Sequence, residues 1–381
     1  MGGERLAWTE NGEERTALWR SETGAAAPRR VVVADDATRA DDAYRMACEG
    51  TALLWRGDFQ NARQLLTAMA RRADRTPRRK RRGRDRVEPS QVQAFHLYRQ
   101  ARAQRARTLG MLLIPLDAGH VVPLRRAPDV REACAEAYGP DGGPYVTSLR
   151  ELLGVVGAHE WRAKGVEIPA LAGARIHPHY GVFSPIRGEY VDLVADAPLP
   201  STTLAYDVGT GTGVLSAVLA RRGVERVVAT DQDPRALACA RDNVARLGLA
   251  GRVDVVEADL FPPDGRAPLI VCNPPWLPGR PASPLEHAVY DPDSRMLHGF
   301  LNGLPGRLEP GGEGWLVLSD LAEHLGLRTR AALLDAFAAA GLTVLDRLDI
   351  KPRHPRASDP DDPLHAARAA ETTSLWRLSP T

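Results

Sequence analysis

From about residue 202 onward, short β-rich apolar runs alternate with helix-patterned segments, and this alternation narrows the fold more than any other feature. TTLAYDV (202–208) is followed by a glycine-rich turn and the helical run VLSAVLARRG, which ends at Gly223. RVVATD (226–231) precedes DPRALACARDNVARLG, a helix that Gly248 should close as its C-terminal cap. VDVVEAD, PLIVCN, GWLVLSD, TVLDRLDI and TSLWRL continue the series, with LRTRAALLDAFAAAG as the helix between the fifth and sixth runs. Strands in such alternation predict a doubly wound α/β sheet.

The 381 residues exceed what one typical domain needs, so a second domain is expected before residue 200. Residues 1–40 are rich in Gly, Ala and charge with weak periodicity and read as poorly ordered. Residues 41–165 read as a mostly helical N-terminal domain. FQNARQLLTAMARR has helical spacing from Asp58, and Ser90 with Gln93 forms a capping box for VQAFHLYRQARAQRARTLG. MLLIPL (111–116) is a strand or core segment, and 127–160 look helical again, broken by the turn GPDGGP at 139–144. A basic linker at 71–86 interrupts this domain, 166–200 connect it onward, and 201–381 form the catalytic domain.

Composition excludes several classes. Charged residues are about a quarter of the chain and the formal net charge is +2, which suits a soluble globular protein. The acidic start MGGERLAWTENGEER is not expected to be a secretory signal, and no run approaches the ~18 apolar residues of a spanning helix. Cys48, Cys134, Cys239 and Cys272 are far apart and form no CxxC pair, so free thiols in a reducing cytoplasm are expected. His177 and His179 flank a proline without a third ligand nearby. They read as loop or packing residues, and no metal is expected.

Three motifs carry chemistry. Directly after the first strand, Asp207-Val-Gly209-Thr-Gly211-Thr-Gly213 can turn tightly and let a ligand lie against bare backbone. The sixth position counted from Gly209 is Val214, so the dinucleotide fingerprint G-x-G-x-x-G/A fails. Asp231 ends the second strand about 20 residues beyond the glycines, where a carboxylate can accept from both ribose hydroxyls. Asp233 is the better cap for the helix starting near Pro234, and Asp259, at the end of the third strand, could accept from an adenine amino group. The third motif is Asn273-Pro274-Pro275-Trp276, where the fourth strand leaves the sheet. Two prolines remove backbone donors, so carbonyls and the Asn oxygen form a row of acceptors beside an aromatic plate, suited to a flat NH₂ group. In isolation a strand-ending Pro-Pro turn with a packed Trp would be the better reading. At the carboxyl edge of an α/β sheet opposite a nucleoside site it is not.

Residues 202–320 resemble the class I methyltransferase fold. DVGTGTG resembles its first motif, VATDQD its second-strand acidic motif and EADLF its third. VCNPPW resembles the Asn-Pro-Pro-aromatic signature of the "small" methyltransferase branch, which includes ribosomal RNA guanine enzymes and release-factor glutamine methyltransferases. At the aromatic position this chain has Trp276, where release-factor enzymes usually carry Tyr. The resemblance implies a seven-stranded Rossmann-like sheet and S-adenosylmethionine as cofactor. Asp207, Gly209, Gly211, Gly213, Asp231, Asp259 and Asn273 would then hold the cofactor, and Asn273, Pro274, Pro275 and Trp276 would present the acceptor nitrogen. HPHYGVFSPIRGEYVDLV (177–194) resembles the segment that lies over the cofactor in those enzymes.

Three functions are expected in order: methylation of an RNA or DNA base amino group, methylation of a protein glutamine, and RNA binding without catalysis on a retained nucleoside fold. The run Arg78-Arg79-Lys80-Arg81-Arg82 could contact phosphates, with a solvated charge run as an equal alternative.

Overall fold

The computed structural model describes residues 4–74, 90–140, 142–281, 284–353, 359 and 362–381. They fall into two compact units. One holds the described residues up to 74 together with 96–160, the other Ser90–Phe95 with Trp161–Thr381.

The first unit is built on six strands: β1 (Arg5–Glu10), β2 (Glu13–Trp19), β3 (Arg30–Ala34), β4 (Thr51–Trp55), β5 (Leu112–Leu116) and β6 (Tyr145–Ser148), in the order β1-β2-β6-β5-β4-β3. Its helices are α1 (Ala40–Cys48), α2 (Phe59–Ala73), α4 (Arg131–Tyr138) and most of α3 (Gln91–Leu109) and α5 (Leu149–Lys164), whose first and last turns respectively fall in the second unit. This corrects two expectations. Residues 4–40 carry three strands rather than a poorly ordered segment, and the helices of 41–165 accompany a central sheet. The missed signal was Asn11-Gly12. Both residues have positive φ (54° and 80°), as a two-residue hairpin turn between Glu10 and Glu13 requires. TALLW and YVTS, five and four residues long, are buried along nearly their whole length and show no alternation to read. Ser90 and Gln93 do form the capping box: Gln93 N–H donates to Ser90 Oγ at 3.3 Å and Ser90 N–H to Gln93 Oε1 at 3.1 Å.

The second unit contains β7 (Leu204–Val208), β8 (Arg226–Asp231), β9 (Val253–Glu257), β10 (Ala267–Cys272), β11 (Leu308–Ser319), β12 (Leu342–Ile350) and β13 (Thr373–Pro380). Their order is β9-β8-β7-β10-β11-β13-β12, parallel except for β13, which is antiparallel to both neighbours. The seven runs picked out by alternation are these seven strands. Around the sheet lie α6 (Glu189–Asp196), α7 (Val214–Arg221), α8 (Pro234–Arg246), α9 (Arg295–Arg307), α10 (Leu321–His324), α11 (Arg330–Ala339) and α12 (His365–Ala370). Asp233 caps α8, its Oδ1 accepting from Arg235 N–H at 2.9 Å, with Pro234 in the first turn.

Residues 166–200 are more than a connection. Val166, Ile168, Leu171, Ile176, Tyr190, Val191 and Val194 are buried in one core with Ala205, Val218 and Trp315. Burying such a set contributes roughly 1.5–3 kcal/mol per large apolar side chain, which fixes this segment against the sheet. The direction of winding reverses between β7 and its two neighbours, so the crevice for a ligand opens where β7, β8 and β10 end. Among the described residues no helix is long and apolar enough to cross a membrane.

Candidate functional site

Register brings the predicted residues together. Val208 is paired with Thr230 on one side and Cys272 on the other. The next residues, Gly209, Asp231 and Asn273, therefore leave three adjacent strands at one level. The Asn-Pro-Pro-Trp segment stands beside the glycine turn for that reason alone.

The glycine turn is held from beneath. Asp207 is almost fully buried, and its Oδ2 accepts from Thr210 Oγ1 at 2.7 Å, Ser216 N–H at 3.0 Å and Ser216 Oγ at 2.5 Å. Burial raises its carboxyl above the ordinary value, and the two hydroxyls oppose that rise. Asp207 was expected among the cofactor contacts; its oxygen is spent shaping the loop. Gly209 has φ 73°, and a Cβ there would lie 2.5 Å from Met296 Cε. Gly213 (φ 79°) packs against α8, where a Cβ would come within 3.3 Å of Ala240 Cα. Gly211 (φ 55°) faces open space, leaving bare backbone for a ligand.

Asp231 completes this half of the site. Its Oδ2 accepts from Gly211 N–H and its Oδ1 from Asp233 N–H, both at 3.0 Å. Burial lifts its pKa, against the pull of the Asp233, Gly211 and Gln232 amides. Each oxygen keeps a lone pair beyond these amides, and the carboxylate sits beside the open Gly211. A ribose diol can donate to such a group, so the loop and Asp231 fit a nucleoside cofactor. Asp259 stands differently: it is exposed and paired with Arg295 at 2.7 Å. Only the rest of its carboxylate is left for an adenine amino group.

On the acceptor side, Trp276 is half-buried against both cores of the sheet, and its Nε1–H donates to Asn273 Oδ1 at 2.9 Å. The indole thus fixes the orientation of the Asn amide and uses one of its two acceptor positions. The sequence did not show this bond. The Arg187 guanidinium lies 5.7 Å from the Trp276 ring centroid. Arg187 also reaches two buried carboxylates, Glu371 at 3.3 Å and Glu189 at 3.5 Å, and Glu371 accepts from Ser319 Oγ at 2.7 Å. No spacing rule would have found Arg187; only its place within 177–194 gave a hint. Cys272 precedes the motif, but burial pushes its thiol well up and it has no exposed surface, so it is no nucleophile.

The loop after Trp276 is also built. Leu277–Pro278 pair with Tyr290–Asp291, and buried Asp291 accepts from the Met296 and Leu297 N–H groups at 3.1 Å, capping α9. Along 177–194, His177 N–H donates to Asn243 Oδ1 at 2.7 Å, while Asn243 Nδ2 donates to His177 O and Thr212 O. Asn243 therefore ties this segment to the glycine turn. His179 Nε2 meets Asp242 at 3.2 Å, so both histidines serve packing. Among the described residues no cluster of three or more His, Cys, Asp or Glu could hold a metal ion. Residues Arg78, Arg79, Lys80, Arg81 and Arg82 lie outside the described residues.

A Rossmann-like sheet of this order, with a glycine turn, a strand-end acid and an Asn-Pro-Pro-Trp segment at adjacent strand ends, is the arrangement of a methyltransferase domain. Residues 174–340 match the model of the methyltransferase small domain. The chain is similar to ribosomal protein L11 methyltransferase of Pelotomaculum thermopropionicum, 37% identical over 143 residues, 37% of this chain and 39% of that protein. It is also similar to release factor glutamine methyltransferase of Moorella thermoacetica, 39% identical over 162 residues, 37% of this chain and 57% of that protein. The corresponding enzyme of Mycobacterium tuberculosis is 33% identical over 204 residues, 46% of this chain and 64% of that protein. The alignments with the first three curated relatives span 39%, 63% and 57% of their lengths. Among solved structures, a methyltransferase from Pyrococcus furiosus aligns with a TM-score of 0.40 and 18% identity, over 59% of this chain and 98% of that one.

Proposed function

We propose that the chain methylates a planar NH₂ nitrogen from S-adenosylmethionine, in first place the exocyclic amino group of an RNA base. The observation that carries this reading is the common level of Gly209, Asp231 and Asn273 at the ends of β7, β8 and β10. When bound, the cofactor supplies an electrophilic sulfonium methyl. The bare backbone of the glycine turn and the Asp231 carboxylate hold its nucleoside end. The remaining lone pair of Asn273 Oδ1 and the carbonyl of Pro274 accept the two hydrogens of the incoming NH₂. Those bonds favour a pyramidal nitrogen with a freer lone pair and stabilise the positive charge developing on it. Trp276 offers one flat surface to the acceptor group, with its indole N–H holding Asn273 in place. A paired base must be flipped to reach it. The proton leaves with solvent after transfer, so no strong base is needed.

A second reading is supported by the relatives, named for release-factor glutamine and for ribosomal protein L11. A glutamine side-chain amide presents the same flat NH₂ to the same acceptors. Transfer of labelled methyl into unfractionated cellular RNA and protein separates the readings. Label in a base amino group supports the first, and label in a glutamine amide replaces it with the second. Intact cofactor binding with label in neither leaves a nucleoside-binding fold without catalysis.

A further inference from the structure

The Arg187 side chain is 23% exposed, and three groups meet its guanidinium. Two are buried carboxylates, Glu371 at 3.3 Å and Glu189 at 3.5 Å. The third is the Trp276 ring, whose centroid lies 5.7 Å from the guanidinium carbon. The carboxylates come from different elements. Glu189 opens α6, whereas Glu371 precedes β13, is fully buried, and accepts from Ser319 Oγ at 2.7 Å.

Strand register puts this group beside the acceptor row. Cys272 pairs with Leu316, so the chain leaves β10 at Asn273 while β11 runs on to Ser319. Ser319 pairs with Thr373, which brings Glu371 to the same edge of the sheet. A continuous set of contacts therefore runs from the end of β11 through Glu371 and Arg187 to Trp276, and from the indole N–H to Asn273 Oδ1.

Stability does not account for such a cluster. Desolvating two carboxylates offsets much of their attraction to a guanidinium, and apolar residues of the same volume hold a fold as well or better. What the cluster supplies is direction, since a planar guanidinium held by its N–H groups fixes the ring it lies over. The charges also suit the reaction. Positive charge develops on the acceptor nitrogen during transfer, and an uncompensated cation over the neighbouring ring would oppose it. Two carboxylates on one guanidinium remove that opposition.

We infer that Arg187 is a positioning residue for methyl transfer: pinned by Glu189 and Glu371, it sets the plane of Trp276 and, through the indole N–H, the amide of Asn273. The inference rests on the reading of Asn273 and Trp276 as the acceptor site.

The test is a mutant cycle on the full chain, with the RNA or protein fraction that the wild type labels as substrate. Arg187→Gln removes the cation and keeps a donor for Glu371. It should lower single-turnover transfer about three- to tenfold and leave S-adenosylmethionine affinity within about twofold. In a Trp276→Phe background, where the indole bond is already gone, the same substitution should cost less than about twofold. Arg187→Lys keeps the charge without the fork and should recover part of the loss. Fluorotryptophan labelling adds a readout that needs no substrate. The Trp276 resonance, identified among the seven tryptophans by its absence from Trp276→Phe, should shift or broaden in Arg187→Gln. An unmoved resonance overturns the inference. So do equal losses in the two backgrounds, which mark a brace of the fold that does not act through the indole. Should Arg187→Gln not fold, Arg187→Lys runs the same cycle, and equal losses there overturn the inference as well. Failure of the nitrogen-methylation reading looks different: the wild type labels neither a base amino group nor a glutamine amide, and the fluorine signal alone then decides whether Arg187 holds Trp276.

Discussion

Asp58 and Asp231 are both carboxylates that follow a parallel strand and stand at the start of a helix, yet the two units use them in opposite ways. In the first unit, Asp58 follows β4 and caps α2; its Oδ2 accepts from Arg125 Nε at 2.9 Å and Arg126 Nε at 2.7 Å. Asp36, beyond β3, accepts from Asp58 N–H and from Asn61. Arg126, the Gln60 amide and Arg125 hold the Asp58 carboxyl far below the usual range. In the second unit, Asp231 takes only backbone amides and burial moves its pKa the other way. One strand end has closed on its own side chains, and the other is left short of donors beside an open glycine. A parallel strand leading into a helix is common to both; the ligand site is made by what the strand ends leave unsatisfied.

Several substitutions would break or sharpen this contrast. The largest effect is expected from Asn273→Ala, which removes a side-chain acceptor from the site and leaves the prolines in place. Turnover in single-turnover methyl transfer should fall about a hundred- to a thousandfold, with cofactor affinity nearly unchanged. A wild-type rate would reject nitrogen methylation. Next comes Asp231→Ala, which should weaken cofactor binding roughly ten- to a hundredfold by calorimetry. Asp58→Ala should leave that affinity alone and cost the first unit its cap, a fall of about 2–4 °C in melting temperature. Equal cofactor losses in both variants would erase the distinction.

The two acids should also titrate in opposite senses. Asp231, raised on folding, must be charged to hold a diol. Cofactor affinity should therefore drop as pH falls through a value above the ~3.9 of an ordinary aspartate, and Asp231→Asn should flatten that profile. Asp58, lowered on folding, contributes stability that is present above ~3.9 and is lost only in stronger acid.

A smaller effect is expected from Trp276→Phe. The flat ring stays, but the indole bond to Asn273 is lost, so turnover should fall about three- to tenfold. Full activity would make that bond incidental. Smallest is Asp259→Ala. Its carboxylate is exposed and already paired with Arg295, so the loss in cofactor affinity should stay below about fivefold. A larger loss would restore Asp259 to the adenine site.

The catalytic half of the fold was legible because each strand and helix announced itself locally. RVVATD is β8 residue for residue, and Gly213, Asp233 and Gly248 punctuate the helices as their chemistry requires. The first unit was harder, since β4 and β6 are short, buried runs that look alike as helix or strand. Asn11-Gly12 is the one local signal there, the turn pair of the β1–β2 hairpin. Within the site, the positions of Gly209, Asp231 and Asn273 followed from strand order. The roles of Asp207, Trp276 Nε1 and Arg187 did not. Which lone pair a side chain spends on its neighbours depends on contacts across 3 to 184 residues of sequence, and no local pattern encodes them.

The place of β13 has a consequence for how the protein is made. The strand that comes last along the chain lies between β11 and β12, pairing Trp315 with Arg377 and Leu348 with Leu375. A ribosome that has released residue 350 has supplied every residue proposed to touch cofactor or acceptor. The nascent sheet nevertheless still lacks the strand that joins its fifth and sixth members. Until residues 373–380 emerge, β11 and β12 each present an unpaired edge that another chain could capture. Safe assembly of this sheet therefore waits for residues 373–380, and a pause before they emerge leaves two strand edges open to capture.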